Sequence, residues 1–215
     1  MVRKERAIIF DLNDVLVSDG WRIAYTKLAE KLGCKSVEEM WKGPLRGWQE
    51  HWQEVYRGEA DEKETYFLIA SAFDEPQRSL IMKAFHGYGE ESTLNEELFE
   101  IAKELKSAGY KLGILANSPP SWYRRWHNFL KESGIFDVLL ASFEIGAIKP
   151  ERKAFQAVVN AFGANSKDCV FIDDRLENIE AAEKFGMQGI LFTNAADLRN
   201  IFQDRKFLLP KRDEI

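Results

Sequence analysis

The chain has only two cysteines and three histidines among its 215 residues. Cys34 and Cys169 are too few and too isolated for a disulfide framework or a zinc site, so reduced thiols are expected. No excess of basic residues exists: 30 Lys and Arg against 35 Asp and Glu leave a net charge of −5 and a pI near 5.4. That balance argues against general electrostatic attachment to nucleic acid or to an anionic membrane. The apolar run behind the basic start lasts only from Ala7 to Phe10, too short for a signal peptide or a membrane span. No repeat of 20 to 50 residues and no low-complexity linker interrupts the chain. These absences together predict a cytoplasmic globular protein without a nucleic-acid or membrane partner, and they leave the oligomeric state open.

What the chain has in quantity is apolar surface. Hydrophobic residues make up 45% of it, with 15 Phe and 6 Trp, enough for a packed core in one domain or in one domain carrying an insertion. Short apolar runs at Ala7 to Phe10, Lys111 to Ala116, Val138 to Ala141, Cys169 to Ile172 and Gly189 to Phe192 read as strands buried on both faces. Helical patterns at Glu96 to Ala108, Ser121 to Lys131, Glu151 to Ala161, Asn178 to Phe185 and Ala195 to Phe202 alternate with them. Alternation of this kind builds an α/β fold, a doubly wound Rossmann-like parallel sheet. Thr93 with Glu96, and Ser36 with Glu39, read as helix-capping pairs, and Gly109, Gly134, Gly163 and Gly186 read as helix ends.

About a hundred residues without a strand pattern separate the first strand from the second. Apolar positions at helical spacing in Trp21 to Leu32, Trp48 to Tyr56, Tyr66 to Phe73 and Leu80 to Phe85 predict an inserted cap of four or five helices. The expected division is a core of residues 1–17 and 93–215 and a cap of residues 18–92. Ser18-Asp19-Gly20 and Gly87-Tyr88-Gly89-Glu90-Glu91-Ser92 are the predicted hinges, and the tail Lys211 to Ile215 is predicted to fray.

In an open parallel sheet the ligand site lies beyond the carboxyl ends of the strands. Asp11-Leu12-Asn13-Asp14 follows the first strand, Asn117-Ser118-Pro119-Pro120 the second, and Asp173-Asp174-Arg175 the fourth, while Ile148-Lys149-Pro150 precedes the helix at Glu151. Three carboxylates, a lysine and an amide are thus expected at one rim. Carboxylates at that density repel one another unless a hard cation sits among them, and Mg²⁺ with its waters and a substrate phosphate suits such a site. Taken singly, Asp11 reads as a turn cap, Lys149 as an exposed lysine and Asp173-Asp174 as helix-capping acids; their convergence favours chemistry. Trp48, Trp52 and Tyr56 share a helix face and read chiefly as packing within the cap, with a lesser reading in which some of them, together with Trp21, Trp41 or Arg46, form a wall for a leaving group. His51, His86 and His127 have no metal-ligand spacing.

The order of these motifs resembles the haloacid dehalogenase superfamily of phosphohydrolases, along the whole chain. The most specific stretch is Val170-Phe171-Ile172-Asp173-Asp174-Arg175-Leu176-Glu177-Asn178 with its continuation to Ala182. With Ile148-Lys149-Pro150 and Arg57-Gly58-Glu59, it looks most like the branch holding α-glucose-1-phosphate phosphatases and the N-terminal phosphatase domain of soluble epoxide hydrolases. The resemblance implies that Asp11 is a nucleophile forming an aspartyl phosphate and that Lys149 steadies it and the phosphoryl charge. It also implies that Asp11, the backbone carbonyl of Asn13 and Asp174 hold Mg²⁺, with Asp173 and Asn178 assisting. The expected phosphate-binding positions are Ala116, Asn117, Ser118 and Lys149, and the expected substrate is a small phosphorylated metabolite such as a sugar phosphate.

Two positions depart from the family pattern. Asn13 stands where the family has a second Asp, the general acid–base, and Ala116 where it has Ser or Thr. An amide cannot exchange protons in this way, a function commonly worth 10²- to 10⁴-fold in rate. A lost hydrogen bond to a charged group is worth about 1.5–3 kcal/mol. The competing expectation is therefore a catalytically impaired member that binds a phosphorylated ligand or a protein. Metal-free dehalogenation of 2-haloacids is the weakest expectation, because it leaves Asp173-Asp174 without a task.

Overall fold

A computed structural model of the chain describes residues 7–18, 20–87 and 92–207. The hinge residues Asp19 and Tyr88-Gly89-Glu90-Glu91, and the tail Lys211 to Ile215, lie outside the described residues.

Five parallel strands, β1 (Ala7–Phe10), β2 (Lys111–Ala116), β3 (Val138–Ala141), β4 (Cys169–Asp173) and β5 (Gln188–Leu191), form one sheet in the order β3-β2-β1-β4-β5. Every pairing is parallel, with Phe10 opposite Ile114 on one side and Ile172 on the other. The strands are short and β-branched because both faces are covered, so strict alternation of polar and apolar residues gives way to a continuous apolar run. β1 sends Ile8 and Phe10 into one core layer and Ala7 and Ile9 into the other. Period-two geometry splits β4 the same way, Val170 and Ile172 against Cys169 and Phe171.

Helices α6 (Glu96–Ser107), α7 (Pro120–Glu132) and α11 (Ala195–Asp204) cover the first layer, while α9 (Arg152–Phe162) and α10 (Leu176–Phe185) cover the second. In the second layer Phe155 meets Phe171 edge to face, with centroids 5.4 Å apart, and both are wholly buried. Truncating either to alanine removes about 3–5 kcal/mol. The Phe162 ring packs so closely on Gly113 that a Cβ there would stand 2.6 Å from it. The glycine that weakens β2 in propensity is thus what lets α9 approach the sheet.

Between β1 and α6 the described residues form five helices: α1 (Gly20–Lys31), α2 (Val37–Lys42), α3 (Gln49–Tyr56), α4 (Glu62–Ser71) and α5 (Gln77–His86). Their buried side chains, among them Tyr25, Met40, Trp52, Tyr66, Ile69 and Phe85, run on from the first layer of the sheet core. Tyr66 stacks on Phe85 at 5.0 Å and Trp52 meets that ring edge-on at 5.4 Å.

One capping expectation is corrected. Ser36 caps α2 as expected, accepting from the Glu39 N–H at 3.1 Å. For α6, however, the cap is Asn95, whose side chain accepts from the Leu98 N–H, and not Thr93. Thr93 is occupied by tertiary pairing: its N–H donates to Ser18 Oγ at 2.8 Å, and its carbonyl accepts from the Ser18 N–H at 2.8 Å. A short helix, α8 (Ser142–Ile145), also follows β3 directly, a four-residue element below the length at which periodicity is visible.

Candidate active site

β1 is the middle strand, and the chain leaves it towards opposite halves of the sheet, so its carboxyl end is the switch point where a crevice must open. Asp11 is the first residue beyond it, held by its own N–H donating to the Ile172 carbonyl at 2.8 Å. Asp173 ends the neighbouring β4. Lys149 reaches between them, its Nζ 2.6 Å from Asp11 Oδ1 and 2.8 Å from Asp173 Oδ2. All three are buried. A charge taken from water costs several kcal/mol unless paired, so one lysine between two carboxylates is the arrangement that makes their burial tolerable.

The pairing is incomplete by one charge. Burial raises the Asp11 carboxyl to about 7, with Asp173 adding to the rise and Lys149 opposing it. Burial opposes the Lys149 ammonium, yet the two carboxylates outweigh it and hold its pKa above the ordinary lysine value. Half-buried Asp174 is also raised, by desolvation and then by Asp173 and Asp14. Carboxylate oxygens of Asp11, Asp173 and Asp174 all lie within 4.8 Å of one another. Three acids against one lysine, offering hard oxygen donors at that spacing, fit a divalent cation such as Mg²⁺.

The supporting residues divide by what their side chains touch. Asn178 donates to both Asp173 oxygens, at 2.9 and 3.0 Å, and the Arg175 N–H adds a third donor at 2.9 Å, which fixes that carboxylate's orientation. Asn117 clasps the Lys149 backbone twice, its Oδ1 accepting from the N–H at 2.8 Å and its Nδ2 donating to the carbonyl at 2.9 Å. Asn13 in turn donates to the Asn117 carbonyl at 3.1 Å, while its Oδ1 is buried without a partner, as is Asn178 Oδ1. Ala116 is wholly buried at the end of β2, opposite Ala141. Ser118 does not face the rim with a free donor: its N–H donates to Ser142 Oγ at 3.2 Å and its hydroxyl to the Pro119 carbonyl at 3.1 Å.

Sequence reasoning missed the residues that fasten α3 and α4 beside this rim. Glu62, a buried acid on α4, accepts from the Ser121 N–H at 2.9 Å, the Ser121 hydroxyl at 2.6 Å and the Tyr66 hydroxyl. It thereby satisfies an otherwise orphaned donor at the start of α7, three residues beyond Ser118. Arg57 donates to Glu151 Oε1 through Nε at 3.1 Å and Nη2 at 2.6 Å, two residues past Lys149. Gly58 presses against Phe143, where a Cβ would stand 2.5 Å from the backbone oxygen. A solvated reading was natural for Glu62 in the charged string Asp61-Glu62-Lys63-Glu64, and its partner lies 59 positions away; only the Arg57-Gly58 phrase carried a signal.

The aromatic residues of α3 and its preceding residue divide between packing and a half-buried edge: Trp52 is buried, whereas Trp48, just before the helix, and Tyr56 are partly so. Trp41 meets the Tyr25 ring edge-on at 5.7 Å and Arg46 is exposed; the Trp21 side chain lies outside the described residues. Neither Trp41 nor Arg46 lines the cleft of about 790 Å³ that opens beside Asp174 and Asp14. His51 pairs with Glu54, His86 with the Met82 carbonyl, and His127 lies against the Tyr123 ring, all apart from the acidic rim.

Comparison with known proteins agrees with this geometry. Residues 5–186 match a family model described as haloacid dehalogenase-like hydrolase. Flavin mononucleotide hydrolase 1 of Arabidopsis thaliana is 28% identical over 207 residues, covering 94% of this chain and 78% of its own. Phosphatase MT3486 of Mycobacterium tuberculosis is 28% identical, covering 90% of each. A haloacid dehalogenase-family enzyme of Bacteroides thetaiotaomicron, solved with magnesium and inorganic phosphate, superposes with a TM-score of 0.70 at 19% identity over 93% of this chain and all of its own. That likeness shows the shared fold.

Proposed function

We propose that this chain, which belongs to the haloacid dehalogenase-like hydrolase family, is a Mg²⁺-dependent phosphatase of small phosphorylated metabolites working through an aspartyl phosphate on Asp11. The single observation that carries the reading is Lys149 held between Asp11 and Asp173, with Asp174 completing a cluster of oxygen donors. Asp11, Asp174 and the backbone carbonyl of Asn13 would hold the metal. When bound, the metal supplies positive charge against the phosphoryl oxygens.

The roles of the chain's own groups follow from their partners. Asp11 Oδ1 is engaged by Lys149 and by the Leu12 N–H at 2.7 Å, which supports Oδ2 as the atom that attacks phosphorus in this reading. The new oxygen–phosphorus bond forms as the bond to the leaving oxygen breaks, and the electron pair departs with that oxygen. Water then adds to the acyl phosphate, releasing inorganic phosphate and returning the Asp11 carboxylate. Lys149 holds the nucleophile and offsets charge on the transferring group. Asn178 and Asn117 position Asp173 and Lys149 respectively, while Ala116 and Ser118 offer no side-chain donor to the phosphate.

Asn13 cannot protonate the leaving oxygen, so the substrate is one whose oxygen departs readily, such as the anomeric oxygen of a sugar 1-phosphate. We place the enzyme in the cytoplasm. We assign residues 18–92 to a helical cap and residues 1–17 and 93–215 to the core. The pairing of Ser18 with Thr93, one bond between backbones and one from the Thr93 N–H to Ser18 Oγ, supports this division, because it holds the outgoing and returning segments of the insertion side by side.

The testing experiment is steady-state hydrolysis of an aryl phosphate and of glucose 1-phosphate with Mg²⁺ and with EDTA. Turnover that needs the metal and vanishes in Asp11→Asn supports the reading. No turnover of either ester by the native chain favours the alternative that Asn13 and Ala116 motivate, a binding protein built on a hydrolase fold.

A further inference from the structure

We propose that Arg57, at the end of α3, is a positioning residue for phosphoryl transfer: through Glu151 it holds the segment that carries Lys149. The inference rests on the phosphatase reading for the task of Lys149, whereas the path from Arg57 to that lysine is one of geometry alone.

Lys149 lies on the segment between α8 and α9, and the Arg57-Gly58 turn touches that segment on both sides of it. Ahead of Lys149, Gly58 presses on the Phe143 backbone, and the Arg57 carbonyl oxygen stands 3.9 Å from where a Cβ on Gly146 would be. Behind Lys149, the Arg57 guanidinium donates to Glu151 Oε1 at 3.1 and 2.6 Å. The Glu151 N–H donates to the Ile148 carbonyl at 2.8 Å, closing a turn around Lys149 and Pro150. Lys153 Nζ closes the wider loop by donating to the Gly146 carbonyl at 3.0 Å. From the sheet side the segment is held at Lys149 itself, by Asn117.

The Glu151 side chain is committed to Arg57. Glu151 stands at the N-cap of α9, yet its carboxylate accepts no N–H of that helix, although a helix start is where an acid finds free donors. Both side chains of the pair are partly exposed, so the pair contributes little to stability. Lys149 is sensitive to small shifts, because its Nζ must meet Asp11 and Asp173 at 2.6 and 2.8 Å from the end of a flexible stem. A misplacement of about 1 Å at a reacting centre costs on the order of 10²-fold in rate. Removing Arg57 therefore costs rate rather than fold.

Arg57→Met keeps the apolar stem and removes the donors. With Mg²⁺ and an aryl phosphate, its kcat is expected to fall about ten- to a hundredfold while KM stays within about twofold of native. Glu151→Ala is expected to match it, and the double variant to lose no more than either alone. The second readout is the Lys149 ammonium signal in proton-detected ¹⁵N spectra of the metal-free full chain, assigned by its contact with the Phe171 ring, whose centroid is 5.5 Å from Nζ. Its protons are expected to exchange about tenfold faster in Arg57→Met, and at the native rate in Glu62→Gln, which weakens the fastening of α4 instead. An unchanged kcat in a chain that turns over, an unchanged ammonium signal, additive losses in the double variant, or equal loosening in Glu62→Gln overturns the proposal. If the native chain hydrolyses no ester, the phosphatase reading fails, while the ammonium signal still decides whether Arg57 holds Lys149.

Discussion

Lys149 Nζ lies 2.6 Å from Asp11 Oδ1, with side chains only 1% and 7% exposed, and this contact leaves Asp11 short of full compensation because Asp173 shares the same ammonium. Burial therefore raises the Asp11 carboxyl to about 7 from an ordinary value of 3.8. Between those values the folded state binds a proton that the unfolded state has released. The contribution of Asp11 to stability is thus present at low pH and lost as pH rises to about 7. In EDTA, Asp11→Asn is expected to gain on the native chain between pH 5 and pH 8, by on the order of 1–3 kcal/mol. Thermal melts of both proteins at the two pH values check this, and melting points that differ by the same amount at pH 5 and pH 8 would contradict it. Mg²⁺ favours the ionised carboxylate, so its stabilisation of the native chain should be larger at pH 8.

Asn13→Asp should convert the rim from one that needs a good leaving group to one that does not. Asn13 Nδ2 donates to the Asn117 carbonyl at 3.1 Å, and a carboxyl in its place can keep that bond only when protonated, which raises its pKa towards that of a usable acid. Activity on alkyl phosphates should rise by about 10²-fold or more relative to an aryl phosphate. Comparison of kcat/KM for the two ester classes provides the measurement, and an unchanged ratio would remove Asn13 from the account of leaving-group preference.

Gly58→Ala should destabilise the chain beyond the conformational cost of its backbone. Gly58 has φ +71 and no room for a Cβ beside Phe143, whereas Gly134 has φ +66 with nothing within 4 Å. Gly134→Ala should therefore lose only the left-handed penalty, roughly 1–2 kcal/mol, and Gly58→Ala more than that. Urea midpoints of the two variants make the comparison; equal losses would mean that the contact between the Arg57-Gly58 turn and Phe143 contributes nothing.

How much of this was legible follows from the range of the interactions. The edges of β2 and β3 could be read to the residue because Leu112 to Ala116 and Val138 to Ala141 form apolar runs bounded by turn residues, a local signal. Asp11, Lys149, Asp173 and Asp174 could be placed at one rim because strand ends in a parallel sheet converge by topology. The Thr93 cap failed because pairing with Ser18, 75 positions distant, overrode a local preference. Glu62 stayed hidden for the same reason, since its donors come from Ser121. Whether Ser118 turned its hydroxyl inward or outward depended on Ser142 and Pro119, and no pattern in the sequence encodes that choice.

The most direct test of the central claim is intact-mass spectrometry of the chain quenched in acid shortly after mixing with Mg²⁺ and an aryl phosphate. Because Asn13 offers no base to activate water, the phosphoenzyme should outlast its formation, and a species heavier by one phosphoryl group, about 80 Da, should appear in the native chain and be absent from Asp11→Asn. Turnover with no phosphorylated protein at any quench time, or an adduct that persists in Asp11→Asn, would contradict the assignment of Asp11 as the nucleophile.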